Sequence, residues 1–179
     1  MKVFPTITTE RLVLRKFSLT DAPDVQRMAG DVDVARNTLN MPHPYTDGIA
    51  EEWINSVGIE YDLSDMVVFA ITLKDTGNLT GAIGLTLKQQ FRNAELGYWI
   101  GKEYWNKGYA TEASVAVINY AFSNLAIHKI HANHFVGNDA SERVMQKAGM
   151  HFEGFQMQHI WHWNTYKDLK NYAIFNPNI

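Results

Sequence analysis

Between Met66 and Gly101 the chain runs three strand-like segments in succession, MVVFAITLK, LTGAIGLTLK and NAELGYWIG. No helical stretch separates them, and the first two are joined by DTGN, a hairpin turn signal. A chain that places strands back to back in this way does not build a repeating βαβ unit. On the N-terminal side, RLVLRKF (residues 11–17) alternates like a strand, and Ser18 or Thr20 could cap a helix running to about Met28. NTLNMPHPYTDG cannot be regular, because its two prolines break it. A helix through IAEEWINSVGIEY follows, starting from Thr46 or Asp47. After the three strands come a helical TEASVAVINYAFSNL, a strand KIHANHFV, a helix ASERVMQKAG closed by Gly149, and strands in HFEGFQMQHIWHW and NYAIFN. The order β-α-α-β-β-β-α-β-α-β-β predicts an α/β domain with a mixed sheet.

Composition narrows the class. At 179 residues the chain fits one domain, taken as residues 1–179, with a substantial core. A formal charge of -3 argues against a generic nucleic-acid binder. No cysteine is present, which excludes disulfides, a thiol nucleophile and cysteine-ligated metal, and fits a reducing compartment. The N-terminal residues lack a continuous apolar h-region. The longest uncharged run, ASVAVINYAFSNLAIH, spans 16 residues and is too short and polar to cross a bilayer. These features predict a soluble, cytoplasmic protein without a membrane partner.

The stretch EYWNKGYATEA sets a glycine-dependent turn directly against a helix start. If the helix begins near Gly108, its first amides lack intrahelical partners and carry the positive end of the macrodipole. Gly108 removes a Cβ where a ligand would press on the backbone, Thr111 adds a hydroxyl one turn in, and Lys107 adds a cation. A diphosphate would fit there; so would an ordinary turn before a helix. The motif is neither a P-loop nor G-x-G-x-x-G.

ELGYWIGKEYWNKGYATEA, followed by GNDASERVMQKAGMHFEG, resembles the GCN5-related N-acetyltransferase superfamily, and TERLVLRKFSLTDAPDV and YKDLKNYAIF resemble its RimJ/RimL-like ribosomal-protein branch. The resemblance covers nearly the whole chain. It implies a central, mostly antiparallel mixed sheet of about seven strands, splayed in the middle and flanked by about four helices. It also implies acetyl-CoA as cofactor, with the amides of Asn106, Lys107, Gly108, Tyr109, Ala110 and Thr111 around the pyrophosphate. Trp105 stands where the family commonly has Gln or Arg, which suggests that the aromatic packs while the amides bind. Main-chain groups near Tyr98, Trp99 and Ile100 would pair with the pantetheine arm by β-augmentation. Gly97 in that strand suggests a bulge or a close backbone approach.

Two candidate catalytic residues follow. Glu95 is a carboxylate on a strand, a costly place unless one end is wet or paired, and as a general base it would take the amine's proton directly or through water. Its alternative is a charge partner; Arg92 lies three residues away, which in a strand is the opposite face. In NDASERVMQK, Asn138 suits an N-cap and shares a helical face with Ser141 and Met145. Family members often carry a proton-donating tyrosine at the position of Met145, and a methionine cannot replace it. Ser141 is the nearest substitute, as donor to the CoA thiolate or positioner of the sulfur. Asn138 and Ser141 are also accounted for by capping alone.

The histidines give no ligand set, since His128, His131 and His134 alternate faces on a strand, as do His159 and His162; no metal is expected. On the acceptor side the branch resemblance points to MPHPYTDGIAEEWI, with Pro44 and Tyr45 lining the pocket and Trp161 facing it from the long strand near the C-terminus. The implied reaction is direct attack of a neutral amine on acetyl-CoA in a ternary complex. The acceptor would be a protein N-terminal α-amine of the ribosomal-protein type or a small amine such as a polyamine, amino acid or aminoglycoside. For a polyamine, Asp47, Glu51 and Glu52 could supply the acidic pocket. A non-catalytic acyl-CoA sensor is the rival reading. Monomer and homodimer are both compatible with the sequence.

Overall fold

The computed structural model describes residues 3–64 and 66–178. Eight strands form one sheet: β1 (Ile7–Thr8), β2 (Leu12–Arg15), β3 (Met66–Leu73), β4 (Leu79–Lys88), β5 (Asn93–Ile100), β6 (Lys129–Phe135), β7 (His151–His162) and β8 (Thr165–Phe175). Among the described residues five α-helices accompany it: α1 (Ala22–Ala29), α2 (Val32–Ala35), α3 (Ile49–Leu63), α4 (Tyr109–Asn124) and α5 (Asp139–Lys147). The extra strand and helix relative to the sequence expectation are the two-residue β1 and the four-residue α2, both too short to show a period. Ser18 does cap, but it caps a single 3-10 turn (Leu19–Asp21) in a capping box with Asp21, and α1 begins after it.

The strand order is β1-β2-β3-β4-β5-β6-β8-β7, and every neighbouring pair is antiparallel except β5 with β6. The sheet separates two apolar clusters because alternate side chains leave a strand on opposite faces. Along β3, Phe69 and Ile71 join the cluster containing Val117 and Ile118 of α4 and Met145 of α5, while Ala70 joins Val25 and Met28 of α1 and Ile54 of α3. Phe69 and Ile71 are fully buried, and burying such side chains is worth roughly 1.5–3 kcal/mol each.

The decisive departure from a regular sheet is at β5 and β6. They pair only at Asn93 with Lys129, Ala94 with Ile130 and Glu95 with His131. Beyond Glu95, β5 stays with β4 as far as Ile100 opposite Gly81, while β6 follows β8 as far as Phe135 opposite Leu169. The two strands therefore part, leaving a slot between residues 96–100 and 132–135. Gly97 sits opposite Gly84 in unbroken β4–β5 register, so the expected bulge is absent.

One polar cluster fixes the helix start that faces this slot. Glu112, in the first turn of α4, accepts from the Thr9 hydroxyl at 2.6 Å, from the Arg11 amide at 2.8 Å and from the Arg11 guanidinium at 2.7 Å. Burial alone would raise this carboxyl's pKa; the bonds from Thr9 and Arg11 outweigh it and hold the group below its ordinary range. A carboxyl with a depressed folded-state pKa stabilises the fold above its unfolded value of about 4.3, and that contribution is lost as pH falls through the folded value. Glu112→Gln should lower stability at neutral pH by about 1–2 kcal/mol and flatten the acid limb of the stability profile. Denaturant melts from pH 7 down through the carboxylate range check this; an unchanged acid limb would show that the cluster is not a linkage site.

Candidate active site

The loop between β5 and α4 is tied down from three sides. Lys102 pairs with Asp33 at 2.6 Å, Glu103 with Arg27 at 2.8 Å, and the Arg11 guanidinium donates to the Lys107 carbonyl at 2.9 Å. Trp105 donates its indole N–H to the Ile100 carbonyl at 2.7 Å, so this aromatic clamps the loop onto the end of β5 and remains partly exposed. Asn106 and Gly108 adopt left-handed backbone, with φ of 61° and 81°. Gly108 is the N-cap of α4 and brings no side-chain cap, so the first-turn amides of Tyr109, Ala110 and Thr111 are left without a side-chain acceptor. A Cβ at Gly108 would be strained by its positive φ and would meet the Arg11 guanidinium at 3.3 Å.

Two cavities open on the slot. The first, about 400 Å³, is walled by the end of β5 (Tyr98, Trp99, Ile100), by Asn106, Gly108, Tyr109 and Ala110 of the loop and α4, and by α5 from Asn138 to Lys147. The second, about 300 Å³, lies toward α3 and carries Glu95, Gly97, Asn133, Phe135, Trp53, Met66 and Met145 on its wall. Five residues belong to both: Asn37, Thr38, Tyr98, Trp99 and Ser141. They mark the junction where a group held in one cavity meets a group held in the other.

Of the residues expected from the sequence, Tyr98, Trp99, Ile100, Asn106, Gly108, Tyr109, Ala110, Asn138 and Ser141 line the first cavity. Lys107 and Thr111 do not; the Lys107 ammonium lies over the Tyr104 ring at 5.2 Å. Glu95 lines the second cavity. Its partner is Asn133, which donates to Oε1 at 2.9 Å across the gap between the strands, while Arg92 turns away to the Ala126 carbonyl. The neighbouring His131 has its pKa lowered by burial, partly offset by the Glu95 charge. Asn138 is the N-cap of α5 and accepts from the Ser141 amide at 3.1 Å. Pro44, Tyr45 and Trp161 are on the wall of neither cavity. Tyr45 is half-buried against the α1–α3 cluster, Pro44 is exposed, and Trp161 meets Tyr166 edge-on at the surface.

Sequence reasoning missed several wall residues. Arg143 and Lys147, at i and i+4 on α5, put two cations on the first cavity, and a count of charges without a helix register does not find them. Asn133 and the Tyr98 side chain acquire their positions only from the slot. Phe135 heads a stack of rings running through His162 and Trp163 to His43, with centroids 5.0, 5.6 and 5.4 Å apart. That column links the second cavity to the β7–β8 hairpin turn, where Trp163 and Asn164 both take positive φ.

The first cavity fits a long anionic ligand: bare amides at a helix N-terminus, an unpaired β5 edge, and two cations on the opposite wall. Residues 11–151 match the family model described as the acetyltransferase (GNAT) domain. The chain is 32% identical over 176 residues, 98% of its length and 99% of the relative's, to the uncharacterized N-acetyltransferase YoaA of Bacillus subtilis. It is 25% identical to the [ribosomal protein uS5]-alanine N-acetyltransferase of Escherichia coli, covering 96% of this chain and 91% of that one. A solved GNAT-family acetyltransferase from Bacillus anthracis superposes with a TM-score of 0.86 at 31% identity over 96% of this chain and 99% of the other. A spermidine N-acetyltransferase from Vibrio cholerae shares the fold alone, with a TM-score of 0.81 at 21% identity over 94% and 97% of the chains.

The chain belongs to the GNAT acetyltransferases. It is an N-acetyltransferase, and its donor is acetyl-CoA, as in the family at large.

Gly97 faces open space, since an added Cβ there meets nothing within 4 Å. Gly97→Val should therefore fold normally yet narrow the second cavity, and if that cavity takes the acceptor amine the acceptor KM should rise at least about tenfold while the affinity for CoA stays within about twofold. Thermal melts, calorimetry with CoA and acceptor saturation curves together test this; a collapse of stability would show that the space over Gly97 is not free.

Proposed function

We propose that this enzyme acetylates the α-amine at a protein N-terminus, with Glu95 as general base. The observation that carries the reading is that, among the described residues, one carboxylate lines the acceptor-side cavity. Among the described residues Glu95 is the only acidic side chain on that wall, the rest of which is aromatic, aliphatic, hydroxyl-bearing and amide-bearing. An α-amine of pKa near 8 needs one base of modest strength, whereas a polyamine, with amines near 10.4, calls for several carboxylates. The acidic residues that could have served a polyamine lie elsewhere: Asp47 accepts from Gln26 at the surface, and Glu51 and Glu52 are exposed on the first turn of α3. The likeness to the uS5-alanine enzyme supports the same acceptor class.

In this reading acetyl-CoA supplies an acetyl thioester whose carbonyl is held at the junction of the two cavities. The unpaired β5 edge near Tyr98 to Ile100 would orient the pantetheine arm and offer an amide to the carbonyl oxygen. The amides of Tyr109, Ala110 and Thr111 would take the pyrophosphate, with Arg143 and Lys147 as countercharges. Asn133 fixes one oxygen of Glu95, leaving the other lone pairs free to take the proton that the attacking amine sheds. Positioning two substrates in adjoining cavities supplies much of the remaining acceleration.

A small-amine acceptor remains the second reading because the fold also serves spermidine in a neighbour. Thiol release from acetyl-CoA in the presence of α-amine peptides, α-blocked lysine peptides, polyamines or aminoglycosides separates the two, and the cysteine-free chain adds no thiol background. Turnover confined to α-amine peptides is expected; turnover confined to polyamines would overturn the acceptor assignment. Glu95→Gln should cut kcat by roughly 10²–10⁴-fold while CoA affinity stays unchanged. A Gln variant with full turnover would remove Glu95 from the mechanism, and a wild type that binds CoA without turning over any amine would favour a sensor.

A further inference from the structure

Tyr98 projects from the face of β5 that packs on α5, and its hydroxyl lies 2.7 Å from the Ser141 hydroxyl and 3.3 Å from the Ser141 carbonyl. Both residues are on the wall common to the two cavities. Ser141 is held in the first turn of α5 by its amide's bond to Asn138, so its hydroxyl is fixed at a helix N-terminus beside the junction. Met145, one turn further on, is 2% exposed and has no proton to give.

From this the geometry points to Tyr98 as a positioning residue for the leaving group. Its phenol donates to the Ser141 oxygen, so that the Ser141 proton is turned into the junction as a hydrogen-bond donor to the departing CoA sulfur. The inference rests on the acetyl-transfer reading of the site. The alternative arrangement, with Ser141 donating to Tyr98, spends the serine proton within the pair. With a thiolate present, the order Tyr98 to Ser141 to sulfur gives each proton an acceptor and each bond strengthens the next.

The pair donates hydrogen bonds and does not surrender a proton. Burial pushes the Tyr98 phenol up to about 12, against the pull of its bond to Ser141. A thiol of pKa about 8.5 leaves as thiolate without help from so weak an acid. The amine nitrogen bonds to the carbonyl carbon, the C–S bond breaks with its electron pair on sulfur, and the nitrogen's proton goes to Glu95. The thiolate, held by Ser141, then takes a proton from water. Loss of the acid at position 145 is compensated by stabilising the anion.

The test reads the thiol of bound CoA directly, by thiolate ultraviolet absorbance as a function of pH; with no cysteine in the chain that thiol is the only one present. In the wild type it should titrate about one unit below free CoA, a roughly tenfold preference for the thiolate form. Ser141→Ala should abolish the shift, Tyr98→Phe should remove about half of it, and the double variant should match Ser141→Ala. The kcat values should fall in parallel, about tenfold and about threefold, with little change in the KM for acetyl-CoA. An unshifted thiol in the wild type, or additive effects of the two substitutions, would overturn the relay and leave the acetyltransfer reading intact. No binding of CoA to the wild type would overturn both.

Discussion

Everything in the candidate site depends on the parting of β5 from β6 after three residue pairs. Each strand is committed to its other neighbour over a longer run, β5 to β4 and β6 to β8, and those antiparallel ladders diverge. The parallel pair between them is held at three positions only, and parallel pairing is slightly less stable per residue than antiparallel. The result is a slot in the middle of the sheet edged by backbone groups with no strand partner, a state that a ligand's hydrogen bonds can satisfy.

The slot also changes what a strand face means. In a closed sheet, Glu95 and Tyr98, three residues apart, would lie on opposite sides of an impassable layer. Where the layer is open, both line one cavity: Glu95 from the α3 side, with Asn133 reaching across to it, and Tyr98 from the α5 side, bonded to Ser141. On the proposed mechanism Glu95 as base for the incoming amine and Ser141 as donor for the outgoing sulfur would stand on the two sides of the same opening. That is the arrangement an addition–elimination at a carbonyl requires.

The helix start beside the slot is kept bare by interactions behind it. Thr9 and Arg11 satisfy Glu112, Arg11 also holds the Lys107 carbonyl, and Trp105 pins the loop to Ile100, so the first turn of α4 is held in place without a side-chain cap on its amides. Pre-orienting those donors is done within the fold, which lowers the ordering cost of taking up an anion. The tryptophan at position 105 fits this scheme: its indole N–H holds the loop to the end of β5, and the residue also lies on the wall of the first cavity.

Much of this was legible along the chain. The strand runs around DTGN, the glycine at 108 before a helix and the N-cap at Asn138 all come from local rules of period, turn and capping, which act over a few residues, whereas the face that Glu95 presents was left open by them. The motifs also carried the family, and with it the donor. Not legible were Asn133 as the partner of Glu95, the bond between Tyr98 and Ser141, the cations Arg143 and Lys147, and the positions of Pro44, Tyr45 and Trp161 away from both cavities. Those relations join residues 38 to 43 positions apart, or depend on how a proline-broken loop and a long hairpin come to rest. The sequence by itself determined which segments are strands and helices and which residues could do acid–base work, because those follow from short-range sterics and chemistry. Only the tertiary structure decided where the sheet opens, since that is set by competition between ladders, and so which of those residues meet.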